Sequence, residues 1–100
     1  MEIKPKKILV RHAKESTSTA PNGDSWINYW EKKTLLPIPK KCACCGKISN
    51  DMVGAHVIDE EGNLYIYPVC RECNSRYKYT KPDTPFEVRM DELVPVPNQN

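Results

Sequence analysis

Four cysteines fall into two Cys-x-x-Cys pairs, Cys42 with Cys45 and Cys70 with Cys73, and 24 residues separate the pairs. A tight turn within each pair brings two thiolates to the same side of the backbone. Gly46 follows the first pair and permits the left-handed backbone that such a turn needs. Since a structural zinc ion takes four ligands in a tetrahedron, the two pairs together predict one structural Zn²⁺ site.

The fifth cysteine, Cys44, lies inside the first pair and leaves the ligand register open, because it could replace Cys42 or Cys45. The two-residue spacing and Gly46 favour the first assignment and leave Cys44 as a free thiol beside the site. Zinc, or iron in its place, is favoured over redox or disulfide chemistry. A redox dithiol is expected near a βαβ pattern, which this sequence lacks, and lasting disulfides belong to oxidising compartments.

The segments around the cysteines predict how the two pairs meet. Two apolar, β-branched runs at 53–58 and 64–69 flank the turn-forming segment 59–63 and predict a β-hairpin. The stretch 71–79 has no helix breaker before Pro82, which predicts a short helix carrying the second pair in its first turn. The expected fold class is α+β: a zinc knuckle, a hairpin and a helix, with an N-terminal strand and helix extension and a C-terminal tail.

A second helix is predicted from a cap at Asp24 or Ser25 through Lys33. Trp26 and Trp30 lie four residues apart and therefore share one face of this helix. Aromatic residues at this spacing favour a buried stripe, here covering the zinc module. The alternative is an exposed platform on which nucleic-acid bases stack.

Three shorter segments complete the prediction. Apolar residues at 8–10 predict a strand, and the prolines within 35–39 predict an extended connection. Residues 84–87 (TPFE) have the pattern of a helix capping box, which predicts a helix over 84–94, with a strand through 86–90 as the competing prediction. His12 gives no signal beyond that of a solvated histidine.

The length of 100 residues, of which 39% are hydrophobic, is suited to one domain with a modest core that a metal would help to stabilise. We expect a single domain over 1–100, a zinc-binding core at about 40–81, and flexible ends at 1–7 and 95–100.

No apolar stretch approaches the roughly 18 residues that span a bilayer, and the start lacks the apolar run of a secretory signal. The expectation is therefore a cytoplasmic protein with no membrane partner. The net charge of +2 hides an uneven distribution of charged residues. Residues 1–50 hold ten Lys and Arg against four Asp and Glu, whereas residues 51–100 hold five against nine. Such a split suits a nucleic-acid-facing surface or an ordinary solvated one.

The order of knuckle, hairpin and helix resembles a treble-clef zinc finger. Within that group the chain is similar to the zinc-bound HNH endonuclease family over about residues 40–79. The matching motifs are Cys42-x-x-Cys45-Gly46, Gly54-Ala55-His56-Val57-Ile58 and Tyr67-Pro68-Val69-Cys70-x-x-Cys73-Asn74.

This resemblance implies a catalytic position. In the family a histidine on the first hairpin strand is the general base that activates water against a phosphodiester, and a divalent ion such as Mg²⁺ stabilises the developing charge. His56 matches that histidine, and Asn63 matches the family's middle asparagine, which braces the loop. The chain departs from the family at Ala55 and Asn74, where catalytic members present metal ligands. The resemblance therefore implies a degenerate member in which His56 is packed in the structure or competes as a zinc ligand, rather than an active enzyme.

Three functions follow from these residues. The favoured one is a module that binds DNA or RNA through the basic first half of the chain and the helix predicted at 71–79, with Tyr77 and Tyr79 available to stack on bases. The basic residues of that helix and the segment just after it are Arg71, Arg76, Lys78 and Lys81. The first alternative is a protein interaction adaptor that uses the Trp26 and Trp30 face or the tail at 84–97. The second is an active HNH-type endonuclease with His56 as general base.

Overall fold

The computed structural model describes residues 6–13, 20–79 and 85–97. Within these ranges the chain forms an antiparallel sheet and two helices, so the fold class is α+β as expected. The strands lie in the order β4-β1-β2-β3-β5. In chain order the elements are β1 (Lys7–His12), α1 (Trp26–Thr34), β2 (Met52–Asp59), β3 (Leu64–Cys70), α2 (Arg71–Tyr79), β4 (Phe86–Arg89) and β5 (Val94–Pro95).

The predicted hairpin forms the centre of the sheet. β2 and β3 pair from Met52 opposite Cys70 to Ile58 opposite Leu64. The turn between them is held by the Asp59 carboxylate, whose Oδ1 accepts from the backbone N–H of Glu61 and of Asn63, each at 2.9 Å. Because Cys70 is the last residue of β3 and α2 follows directly, the hairpin delivers the second cysteine pair to the start of β2.

The helix predicted over 84–94 is wrong, and the competing strand is what forms. β4 pairs antiparallel with β1, and Phe86 and Val88 point inward while Glu87 and Arg89 are exposed. This two-residue alternation lets β4 complete the outer edge of β1, which gives its backbone groups partners. Thr84, the proposed cap, lies outside the described residues.

The two ends of the chain lie against the sheet where the structure describes them. Val94–Pro95 forms β5 against β3, and the backbone N–H of Val96 donates to the carbonyl oxygen of Leu64 at 3.2 Å. At the other end Lys7 belongs to β1, and the carbonyl oxygen of Lys6 accepts from the N–H of Met90 at 2.8 Å. Residues 1–5 and 98–100 of the segments expected to be flexible lie outside the described residues.

The sheet has two packed faces. The first face carries a buried cluster that contains Cys42, Cys70 and Cys73. The strand residues in this cluster are chiefly Val10, Ala55, Val57, Val69, Phe86 and Val88. On the second, α1 packs over β2, β3 and β5, and the buried residues are Trp30, Ile66 and Val94. Neither described helix is long and apolar enough to cross a membrane.

Helix α1 forms where the sequence predicts it, and Ser25 caps it by accepting from the N–H of Asn28 at 3.3 Å. Trp30 is buried and its Nε1 donates to the carbonyl oxygen of Glu92 at 2.7 Å. The prediction that both tryptophans cover the zinc module is wrong, because α1 lies on the second face. The helix approaches the sheet so closely that a Cβ on Gly54 would lie 2.5 Å from the backbone carbonyl carbon of Trp26.

Candidate metal centre

The first cysteine pair lies in a tight backbone knuckle. The N–H of Cys42 donates to the carbonyl oxygen of Lys47 at 2.9 Å, and the N–H of Gly46 donates back to the carbonyl oxygen of Cys42 at 2.7 Å. Gly46 has φ +77°, the left-handed conformation that the sequence predicts for it. Lys41 and Ile48 bridge the two arms of the knuckle, which fixes the direction in which both thiols point.

The second pair lies where β3 becomes α2. Cys70 ends the strand, and Cys73 lies in the first turn of the helix. Arg71 holds this junction to the start of β2: its N–H donates to the carbonyl oxygen of Asp51 and its Nε to the Asp51 carboxylate, both at 2.9 Å. The hairpin register and these two bonds set the position of the second pair relative to the first.

The four predicted ligands meet. The Sγ atoms of Cys42, Cys45, Cys70 and Cys73 all lie within 4.8 Å of one another, and those of Cys45 and Cys70 are 3.8 Å apart. Four thiolates around zinc, with Zn–S bonds of about 2.3 Å, lie about 3.8 Å apart. The donor set and its spacing therefore fit a tetrahedral metal ion.

Backbone N–H groups point at the sulfur atoms. The N–H of Cys70 lies 3.3 Å from the Sγ of Cys42, and the N–H of Cys73 lies 3.4 Å from the Sγ of Cys70. The backbone N–H of Lys47 holds the pKa of the Cys45 thiol below its ordinary value. Donors in these positions stabilise the negative charge of thiolate ligands.

Burial acts in the opposite direction on the second pair. It raises the pKa of the Cys70 thiol and, more strongly, that of Cys73. Cys42 is also buried, whereas Cys45 is exposed. Since a metal binds the thiolate, binding at this site must release protons that the buried thiols hold in the metal-free protein.

Cys44 lies beside the four-thiol cluster without being a member of it, and its thiol interacts with both Cys73 and His12. Its half-buried Sγ lies 3.6 Å from Nε2 of His12, and burial raises the pKa of the Cys44 thiol to about 11. His12 is only 2% exposed, packs against the ring of Phe86, and has its pKa lowered by burial to about 4. Sequence reasoning missed His12. The signal was the alternation in β1, where Val10 and His12 share the buried face.

His56 lies on the other face of the sheet. Its ring meets the ring of Trp26 edge to face, with centroids 5.2 Å apart and an interplanar angle of 84°. It is half-buried and is not a member of the thiol cluster. Among the described residues, the four cysteines are the sole group of His, Cys, Asp or Glu side chains arranged to hold a metal.

The basic residues proposed for nucleic-acid binding are only partly described. Arg71 is exposed and paired with Asp51. Arg76 and Lys78 belong to α2, but their side chains, like the whole of Lys81, lie outside the described residues. Sequence reasoning included the exposed lysines of the knuckle only as part of the basic first half and did not single them out; they are Lys40, Lys41 and Lys47. A groove of about 280 Å³ lies between the knuckle and α2, and its lining includes the basic Lys47 and Arg71 and the acidic Asp51 and Glu72.

Comparisons with protein-family models, with curated proteins and with solved structures find no match for this chain. The resemblance to HNH endonucleases therefore gains no support from them, and the thiol cluster carries the functional argument.

Proposed function

We propose that the chain is a structural zinc module that binds nucleic acid through the surface formed by its knuckle and the start of α2. Four cysteine thiolates fill all positions of a tetrahedral zinc ion and leave none open for water or substrate, which is the arrangement of structural sites. The ligands come from two distant segments, so the metal ties the knuckle to the hairpin and α2.

The observation that carries the nucleic-acid proposal is the arrangement of lysines on the knuckle. Lys40, Lys41 and Lys47 are exposed, and no described acidic side chain forms an ion pair with them. The N–H of Ser49 donates to the carbonyl oxygen of Lys40 at 2.7 Å, which holds the two arms side by side. Cations on a rigid scaffold suit contacts to phosphates. Further phosphate contacts are proposed for Arg76, Lys78 and Lys81, as the sequence predicts.

Zinc binding is tested by metal analysis of the purified chain. We expect one Zn²⁺ per chain, and in a cobalt-substituted sample the visible absorption typical of tetrahedral thiolate coordination. A stoichiometry near zero after reconstitution under reducing conditions would refute the structural-zinc proposal.

Nucleic-acid binding is tested on the zinc-loaded chain with a Lys40→Gln, Lys41→Gln and Lys47→Gln triple variant. We expect the wild-type affinity for duplex and single-stranded DNA and for RNA to fall as salt rises. A plot of log affinity against log salt should be less steep for the triple variant, by the amount that corresponds to about three lost phosphate contacts. The control is Lys7→Gln, because Lys7 is exposed at the start of β1, away from the knuckle and beside Glu87. Equal affinities for all three proteins would refute the proposal.

The same samples test the catalytic alternative. Incubation with supercoiled plasmid and Mg²⁺ or Mn²⁺ should leave the DNA uncut, since the His56 ring is packed against Trp26 and the described residues offer no second metal site. Cleavage that a zinc-loaded His56→Ala variant loses would instead show an HNH-type nuclease. Failure of all nucleic-acid binding would favour the protein adaptor.

A further inference from the structure

The connection that follows α1 exposes apolar side chains in an unusual backbone conformation. Leu35 ends the helix with φ 58° and ψ 26°, the left-handed conformation that helices normally give to glycine at this place. Its side chain is 86% exposed, and that of Leu36 is 37% exposed. A leucine here is strained and gains no burial within its own chain, which points to a role outside it.

The charged residues nearest this connection are mostly lysines, with Glu31 as the acidic exception. We call residues 35–39 the apolar loop; Lys32 and Lys33 precede it and Lys40 and Lys41 follow it. Lys32 is paired with Asp24, at 2.9 Å, while the other three lysines have no ion pair with the described acidic groups. The apolar loop therefore presents leucines within a positive surrounding.

A groove of opposite character lies at one end of the sheet. β1 begins at Lys7, but its pairing with β2 begins only at Val10, which lies opposite Asp59. Ile8 and Leu9 therefore extend past the β2–β3 turn without a strand on that side. The space between β1 and the turn is a groove of about 530 Å³.

This groove, which we call the acidic groove, combines apolar walls with carboxylates. Leu9 and Met90 line it and are 45% and 46% exposed, although both are large apolar side chains. The charged side chains that line it are those of Lys6, Asp59, Glu60 and Glu61, so the carboxylates are in excess.

We propose that the apolar loop of one copy of this chain binds the acidic groove of a second copy. Leu35 and Leu36 would cover Leu9 and Met90, and the flanking lysines would face the carboxylates of the β2–β3 turn. Apolar burial supplies attraction, and the complementary charges set the orientation. The exposure of Leu35 shows that it does not fill the groove of its own copy.

The two surfaces are different, and the proposed contact is head-to-tail: the loop of one copy binds the groove of the next. After the first contact the pair keeps one free groove on one copy and one free loop on the other, and association continues into short chains of molecules. A contact made by one five-residue loop is small and therefore weak, so the mean mass should rise gradually with protein concentration. This inference shares Lys40 and Lys41 with the nucleic-acid proposal but does not rest on it, so the test is made without nucleic acid.

The test is a complementation experiment followed by sedimentation equilibrium of the zinc-loaded full chain, free of nucleic acid. A Leu35→Asp variant loses the loop and keeps the groove, whereas a Glu60→Lys, Glu61→Lys double variant loses the groove and keeps the loop. We expect the wild-type mass to rise with concentration and each variant alone to stay monomeric. Mixed in equal amounts, the two should give a species of twice the monomer mass. Nothing larger should form, because each pair has only one competent loop and one competent groove, and the first contact uses both.

Two further measurements test whether loss of association comes from misfolding and whether the charges contribute to it. Leu35→Gly keeps the left-handed backbone and removes the side chain, so it should fold at least as well as wild type and still be monomeric. Raising salt should weaken wild-type association. A monomeric wild type at millimolar concentration, a groove variant that still associates, or a mixture that stays monomeric would each overturn the proposal.

Discussion

The two faces of the sheet hold the molecule together by different means. On the first, four sulfur atoms lie within 4.8 Å of one another beneath a knuckle of little regular structure. On the second, α1 packs through the buried Trp30, whose indole N–H reaches the carbonyl oxygen of Glu92. One face is organised by ligand chemistry and the other by aromatic packing. Their stabilities should therefore respond to different agents.

The faces nevertheless share their strands. β2 carries Ala55 and Val57 on the thiol face and His56 on the α1 face, and β3 carries Val69 and Ile66 in the same way. Loss of order on one face therefore removes the support of the other. The comparison predicts that metal removal and loss of Trp30 both lower the free energy of unfolding. Chelators and acid, however, should act on the thiol face and not on the packing of α1.

The largest effect is expected from the thiol face. Cys70→Ser should abolish stoichiometric zinc and unfold most of the chain, because metal affinity at a site assembled on folding is folding free energy. Zinc content and the thermal unfolding transition measure this. Cys44→Ser is the matched control and should keep one zinc per chain, since Cys44 is not a member of the four-thiol cluster. Full zinc occupancy at normal stability in Cys70→Ser would show that the ligand set is wrong.

On the α1 face, Trp30→Ala should lower the free energy of unfolding by about 3–5 kcal/mol, the cost of a large cavity and an unpaired carbonyl group. Trp26→Ala should cost clearly less, because Trp26 is only half-buried. Denaturant unfolding with zinc present measures both. The folded fraction of Trp30→Ala should still bind one zinc, and equal costs for the two variants would contradict the difference in burial.

His12 gives a smaller effect that reports on the thiol face directly. Burial disfavours its charged form and lowers its pKa from 6.5 to about 4. The neutral ring therefore contributes stability that is complete above about pH 6.5 and is lost as the pH falls toward 4. Zinc release in acid overlaps this range, so the measurement is an NMR titration of the imidazole signals rather than a melting curve. Titration near pH 6.5 would show that the ring is not buried in solution.

How far the sequence predicts this molecule depends on whether the signal is local. The cysteine pairs, the glycine of the knuckle, the hairpin and both helices follow from spacing and caps over a few residues, and the structure places them as predicted. The strand at Phe86 does not follow from such local signals. Residues 84–87 do have the capping-box pattern, but the alternating residues that follow pair with the edge of β1 instead. Long-range pairing of that kind leaves no mark in the local pattern.

The same limit explains what was missed on each face. His12 looked solvated because its burial depends on Phe86 and the knuckle, which are far away in sequence. The tryptophans were correctly expected to be in contact with a core, but the face on which α1 packs is set by the close approach at Gly54. The alternation in β1 puts His12 on the same face as Val10, but the partners of His12 and the face on which α1 packs cannot be derived from the segments that carry these residues.

The smallest expected effect is at the apolar loop, where a substitution should raise the free energy of unfolding rather than lower it. The left-handed backbone costs a leucine about 1–2 kcal/mol, of which glycine's extra freedom in the unfolded chain offsets about 0.5–1 kcal/mol. Leu35→Gly should therefore raise the free energy of unfolding by up to about 1 kcal/mol, while Leu36→Gly, without a positive φ to relieve, should lower it. Denaturant unfolding at a protein concentration low enough to exclude association measures both. A loss of stability in Leu35→Gly would mean that its side chain is packed within its own chain, and the case for an outside partner would be lost with it.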